Sequence, residues 1–206
     1  MNKAFRLLLL PLLSSCLSSC NASSNAYEAI GVEQYDKSAI VEKYHANIDS
    51  NLSIFPDEIK AVEGTASYYA FISDEFFDKN PEVFLQCEYT VENYLLEIER
   101  LKSISITIKY RDQSYTNYIK YDEEMYTFPA YIAIDGFGSK YEYALLNEKE
   151  HVITYLYLAY PGKDQFEKYP DYVKENHSLY NKSGLDCFTI YAHSFDGGRS
   201  YVEFDD

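Results

Sequence analysis

Apolar and polar residues alternate through SISITIKY: Ile104, Ile106, Ile108 and Tyr110 fall on one side, Ser105, Thr107 and Lys109 on the other. A repeat of two is the signature of a half-buried strand. The stretch RDQS turns the chain back into YTNYIKY, and after an irregular DEEMYTFP the segments AYIAI, EYALL and HVITYLYLAY follow, separated by turns at Asp135–Gly138 and NEKE. HVITYLYLAY is apolar on both faces, which predicts a central strand. Upstream, VEGTASYYAFIS and PEVFLQCEY read as two further strands around the loop DEFFDKN. In the second of them Val83, Leu85, Cys87 and Tyr89 share a face. CFTIYAH and SYVEF near the end read as a last hairpin around Asp196-Gly197-Gly198.

Two segments follow a helical period instead. VENYLLEIERLK places Val91, Tyr94, Leu95, Ile98 and Leu101 on one stripe, with Glu92, Glu97 and Glu99 outside it and Thr90 as its N-cap. Its stripe is expected to pack across the sheet. DKSAIVEKYHANI, capped by Asp36 or Ser38, places Ile40, Val41, Tyr44 and Ile48 at helical spacing. PGKDQFEKYPDYVKENHSLYNKSG is polar, broken by Pro170, and predicts a loop with a helical turn. The sum is an α+β fold, a mostly antiparallel sheet of hairpins with one principal amphipathic helix on a face.

The first residues follow neither period. Lys3 and Arg6 precede an apolar run from Leu7 to Leu13, too short to span a bilayer. Small residues then lead twice into cysteine, at Cys16 and Cys20, in the repeated phrase LSSC. A basic start, a short apolar stretch and small residues before a cut site make a secretory signal. Leu-Ser-Ser-Cys resembles the lipobox of bacterial lipoproteins, which implies that the cysteine is acylated and becomes the mature N-terminus. Cys20 is favoured over Cys16 because it leaves a longer apolar segment before the cut, followed by a polar leader, Asn-Ala-Ser-Ser-Asn-Ala. The expected organisation is a signal peptide over 1–19, a tether over 20–35 and one domain over 36–206. The lipobox, IFPDEIK after a short helix, and NYLLEIERLKSISI together resemble small lipoproteins of low-GC Gram-positive bacteria. That resemblance implies a location outside the cytoplasm and a bilayer anchor, and no activity.

Charge narrows the partners. The whole chain carries a formal −15, and loss of Lys3 and Arg6 with the signal makes it −17. A surface this acidic repels phosphate backbones, so nucleic acid is not an expected partner. It has no attraction for anionic headgroups either, which leaves anchoring to the acyl chains. The expected partners are the bilayer, through Cys20, and an envelope protein, peptide or glycan.

Candidate chemistry is sparse. There is no G-x-S-x-G, H-E-x-x-H, C-x-x-C or P-loop, and GFGSKY lacks the third glycine of a dinucleotide motif. No cofactor or metal site is expected. Asp74, Glu75 and Asp78 read as a solvated acidic loop, without the spacing of a calcium loop. Cys187 and His193, six residues apart on one strand, would stand about 20 Å apart, too far for a catalytic dyad. Cys87 and Cys187 form either a disulfide closing a long loop or two buried thiols, the second being preferred. Tyrosine is abundant at 23 residues, with no Trp. Tyr141, Tyr143, Tyr155 and Tyr157 are a candidate aromatic face for a sugar or peptide, although core filling is the favoured role. The leading expectation is a tethered, non-enzymatic binding module. A carboxylate-based envelope hydrolase and a small ligand-binding receptor are the alternatives.

Overall fold

The computed structural model describes residues 26–48, 50–72, 81–110, 113–136, 139–172 and 190. Among the described residues nine strands form: β1 (Tyr27–Ile30), β2 (Ser67–Ile72), β3 (Glu82–Glu88), β4 (Ser105–Tyr110), β5 (Gln113–Tyr118), β6 (Lys120–Asp122), β7 (Ala130–Asp135), β8 (Lys140–Asn147) and β9 (Val152–Ala159). Three helices accompany them: α1 (Lys37–Ile48), α2 (Val91–Ser103) and α3 (Lys163–Lys168). Seven strands make one antiparallel sheet in the order β1-β2-β3-β9-β8-β7-β6, while among the described residues β4 and β5 pair only with each other. The fold is α+β with a mostly antiparallel sheet, as the periodicities require.

The chain lays down β1, β2 and β3 from one edge inward. It then crosses to the opposite edge through α2 and the β4–β5 hairpin, and returns by β6, β7 and β8 to β9. β9 therefore closes the sheet at its centre against β3, in a register running from Glu82↔Leu158 to Glu88↔Val152. Its doubly apolar pattern is explained by that place, with a packed layer on each side. The SISITIKY–YTNYIKY alternation, by contrast, belongs to the separate two-stranded hairpin.

Residues 27–35 correct the expected tether. Tyr27–Ile30 pairs with β2 and Val32–Gln34 forms a 3-10 turn, so these residues belong to the folded domain and not to a tether. Gly31 joins the two at φ 100°, a left-handed backbone that favours glycine. The expected α1 is observed, with Asp36 accepting from the Ala39 N–H at 2.8 Å and a kink at Tyr44.

Both sheet faces are buried. On the first, Val83, Leu85, Cys87, Ala144, Leu146, Tyr155 and Tyr157 pack under Ile40 and Tyr44 of α1, Tyr94 and Leu101 of α2, and Leu52, Ile54 and Phe55 of an irregular segment. On the second, Ile132, Tyr141, Tyr143, Leu145, Leu156 and Leu158 pack under Tyr126 and Tyr169.

The irregular segment 50–57 is the unusual part of the first layer. Leu52, Ile54, Phe55 and Pro56 are buried there, so their peptide groups are removed from water without a ladder to join. Side chains from elsewhere supply the partners. Arg100 donates to the Ser53 and Ile54 carbonyls at 3.1 and 2.6 Å, Lys37 donates to the Phe55 carbonyl at 2.9 Å, and Tyr35 donates to the Pro56 carbonyl. From beneath, the fully buried Glu142 of β8 accepts the Ile54 N–H at 3.1 Å and the Ser50 hydroxyl, whose oxygen also accepts the Leu52 N–H. Glu142→Ala leaves those donors unpaired and should lower stability by about 3 kcal/mol, with Glu142→Gln costing less because it keeps an acceptor oxygen. The urea midpoint measures both, and equal midpoints for Glu142→Ala and the unmodified chain would refute this role.

Candidate functional site

α2 begins where Thr90 caps it, its side chain accepting the Asn93 N–H at 3.3 Å. Its inward face differs from the apolar stripe. Glu97 lies against the sheet, with its side chain only 11 % exposed, and Tyr94 and Leu101 are buried beside it. Glu97 binds Arg100 through both carboxylate oxygens and accepts from the Tyr155 hydroxyl at 2.7 Å; that hydroxyl in turn meets Tyr89 at 2.9 Å. Burial opposes the charge on Arg100, but the Glu97 carboxylate more than offsets it and holds the guanidinium pKa above its ordinary value. Asn93 donates to the Lys60 carbonyl at 3.2 Å. These polar ties hold the Glu97–Arg100 side of the helix inward beside Tyr94 and Leu101 of the apolar stripe.

That orientation leaves Val91 and Leu95 56 % and 59 % exposed, contrary to the expectation that they pack across the sheet. They form one wall of a groove of about 630 Å³. Ile98 and Lys102 continue that wall. Tyr121 of β6 and Tyr131 of β7, with ring centroids 4.9 Å apart, and Leu146 of β8 supply the sheet side. His151 closes one end from the β8–β9 turn, in a left-handed conformation (φ 52°) and edge-on to Tyr94 at 5.4 Å.

Tyr121 also lines a second recess, of about 470 Å³, with Asp122, Glu123, Glu124 and Met125. Asp122 is occupied: it pairs with Lys120 at 3.0 Å and accepts from the Glu124 and Met125 N–H groups. The Lys120 bond, then the Glu124 N–H, holds its carboxyl below the usual range. Burial, then Glu123 and Glu148, pushes the Tyr121 hydroxyl upward, and burial with Glu148 raises Tyr94 to about 12. The groove is therefore apolar at its base, with Lys102 and Glu148 in its lining, and the carboxylates of the second recess adjoin it at Tyr121.

The sequence-derived candidates are placed differently. Cys16, Cys20, Cys187, His193 and the acidic loop at Asp74, Glu75 and Asp78 lie outside the described residues. Cys87 is a buried free thiol, and burial pushes it up to about 12 against a bond from Tyr89 that lowers it. The four tyrosines do not share a face. Register sets Tyr141 and Tyr143 opposite Leu158 and Leu156 on the second face, and Tyr157 and Tyr155 opposite Glu142 and Ala144 on the first. Odd positions of β8 pair with even positions of β9, which sets the two pairs on opposite faces, and all four are buried because both faces are covered. Tyr143 donates to the Tyr172 carbonyl at 2.7 Å and Tyr155 to Glu97, so they act as core fillers with satisfied hydroxyls. Among the described residues, no three His, Cys, Asp or Glu side chains gather as a metal site.

What the sequence reading missed is the groove. Its signal was a stripe wider than a helix needs for a single contact, together with Leu96, 62 % exposed on the far side of α2.

Two measurements follow from these environments. Ellman's reagent should leave Cys87 unmodified in the native chain and label it in urea without reductant; failure to label in urea would show it oxidised. Burial raises Tyr143 and Tyr155 well above the ordinary 10, so the unfolded chain releases those protons first. Stability is thus fully present below about pH 10 and falls as pH rises further. Tyrosinate absorbance of the buried set should appear together with loss of circular dichroism, and a gradual titration with the fold intact would contradict this.

No protein-family model, no curated protein and no solved structure matches the chain.

Proposed function

We propose that this chain is a lipid-anchored, extracytoplasmic binding module, held by acylated Cys20, and that the groove between α2 and the β6–β7 edge is its contact site. The observation that carries the reading is the exposure of Val91 and Leu95 on the wall of a concave, tyrosine-lined groove. Contiguous exposed apolar surface of this kind marks interaction sites more often than single surface leucines do. The groove volume falls in the range of ligand and peptide sites.

The leader supports the location: a basic start, a short apolar run and LSSC in register. Among the described residues no helix is long and apolar enough to cross a membrane. With β1 starting at Tyr27, the tether from Cys20 spans at most about 25 Å, which keeps the module close to the bilayer. Of the buried carboxylates, Glu97 serves Arg100 and Tyr155, Glu142 the 50–57 backbone and Glu82 the Lys168 ammonium, so the binding reading is preferred over a carboxylate hydrolase.

Cys20→Ala should abolish acyl labelling while Cys16→Ala leaves it intact; the reverse result moves the anchor to Cys16. In crosslinking on intact cells, Leu95→Asp should remove captured partners without changing the amount of folded protein. Unchanged capture would reject the groove as the contact site.

A further inference from the structure

We infer that the groove takes a segment of a protein partner in which apolar side chains are flanked by Lys or Arg. This rests on the groove being the contact site and adds the chemistry of what enters it.

The apolar part of the argument is the wall: Val91 and Leu95, with the half-exposed Tyr121, stand over a base formed by the buried Tyr131 and Leu146, so an incoming apolar side chain loses its water against them. The charged part is the recess formed by Asp122, Glu123 and Glu124, which adjoins the groove at Tyr121, a residue that lines both. Two positive groups near the mouth are already matched. Lys102 is paired with Glu99 at 2.8 Å and Lys120 with Asp122 at 3.0 Å. Glu123, Glu124 and Glu148 are exposed, and Lys149, in the same turn as Glu148, is a further exposed cation outside those two pairs. An entering segment thus meets an excess of carboxylates at the rim after its apolar groups are seated.

The formal −15 of the chain acts in the same direction at longer range, raising the encounter rate with a cationic partner and opposing an anionic one. The same charges disfavour the other occupant of an exposed apolar groove, a bilayer surface with anionic headgroups. Complementarity of both kinds, apolar at the centre and acidic at the rim, is the pattern of a specific interface.

The test uses the full lipidated chain in phosphatidylcholine nanodiscs and three fluorescent peptides of equal length: one of Leu and Lys, one of Leu and Glu, one of Ser and Lys. Anisotropy should show the Leu/Lys peptide binding at least about tenfold more tightly than either of the others. Leu95→Asp should weaken it by about tenfold, and so should the combined Glu123→Gln, Glu124→Gln, Glu148→Gln variant, which should also flatten the salt dependence. Leu96→Asp, on the opposite side of α2, should change nothing and serves as the control for folding and for added charge. Equal binding of the Leu/Glu peptide, or Leu/Lys binding that survives Leu95→Asp, would overturn the inference. So would groove-dependent binding to phosphatidylserine vesicles, which would make the contact a membrane one. Loss of partner capture by Leu95→Asp in cells, alongside peptide binding indifferent to charge, would retain the contact site and reject only the partner chemistry.

Discussion

The architecture turns on a stretch of buried backbone that belongs to no helix or sheet. Leu52, Ile54, Phe55 and Pro56 fill the first layer of the core, and their peptide groups have to find partners there or carry the cost of burial unpaired. Ile54 shows the solution in miniature: its N–H is taken by Glu142 from the sheet below and its carbonyl by Arg100 from the helix beside it. Lys37 and Tyr35 take the next two carbonyls. Three separate parts of the chain are thereby fixed against one another by hydrogen bonds whose loss would strand charged groups in the interior.

That constraint reaches the surface through α2. Arg100 can serve the 50–57 segment only if the helix presents its Glu97–Arg100 side toward it, and Glu97 is held there by Tyr155. Side chains on a helix move together, so turning Glu97 inward carries Val91 and Leu95 outward. The groove is the geometric consequence of satisfying buried polar groups elsewhere. Tyr121 lines both the groove and the acidic recess because β6 is a short strand that passes at once into the Asp122–Met125 turn.

Much of the fold could be read from periodicity. The hairpin strands, the central place of HVITYLYLAY, the Thr90 cap and both longer helices follow from repeats of two and of 3.6, which are local properties of covalent geometry. Other features depended on pairing. β1 is a four-residue edge strand whose pattern is too short to register, and it was assigned to the tether. The four tyrosines looked like one face because strand register is a relation between segments, invisible in either of them alone. Glu97 looked like a solvent residue because charge argues for exposure until a partner such as Arg100 is placed beside it.

The sequence by itself determined the α+β class, most element positions, the acidic character and the leader pattern with its paired cysteines, since each is written in neighbouring residues or in composition. Only the tertiary structure decided which side of α2 is buried, which tyrosines are core, and that an apolar groove opens beside an acidic recess. Those outcomes depend on whether a buried polar group finds its partner, and the partners of Ile54 and Glu97 lie 88, 46 and 58 residues away along the chain.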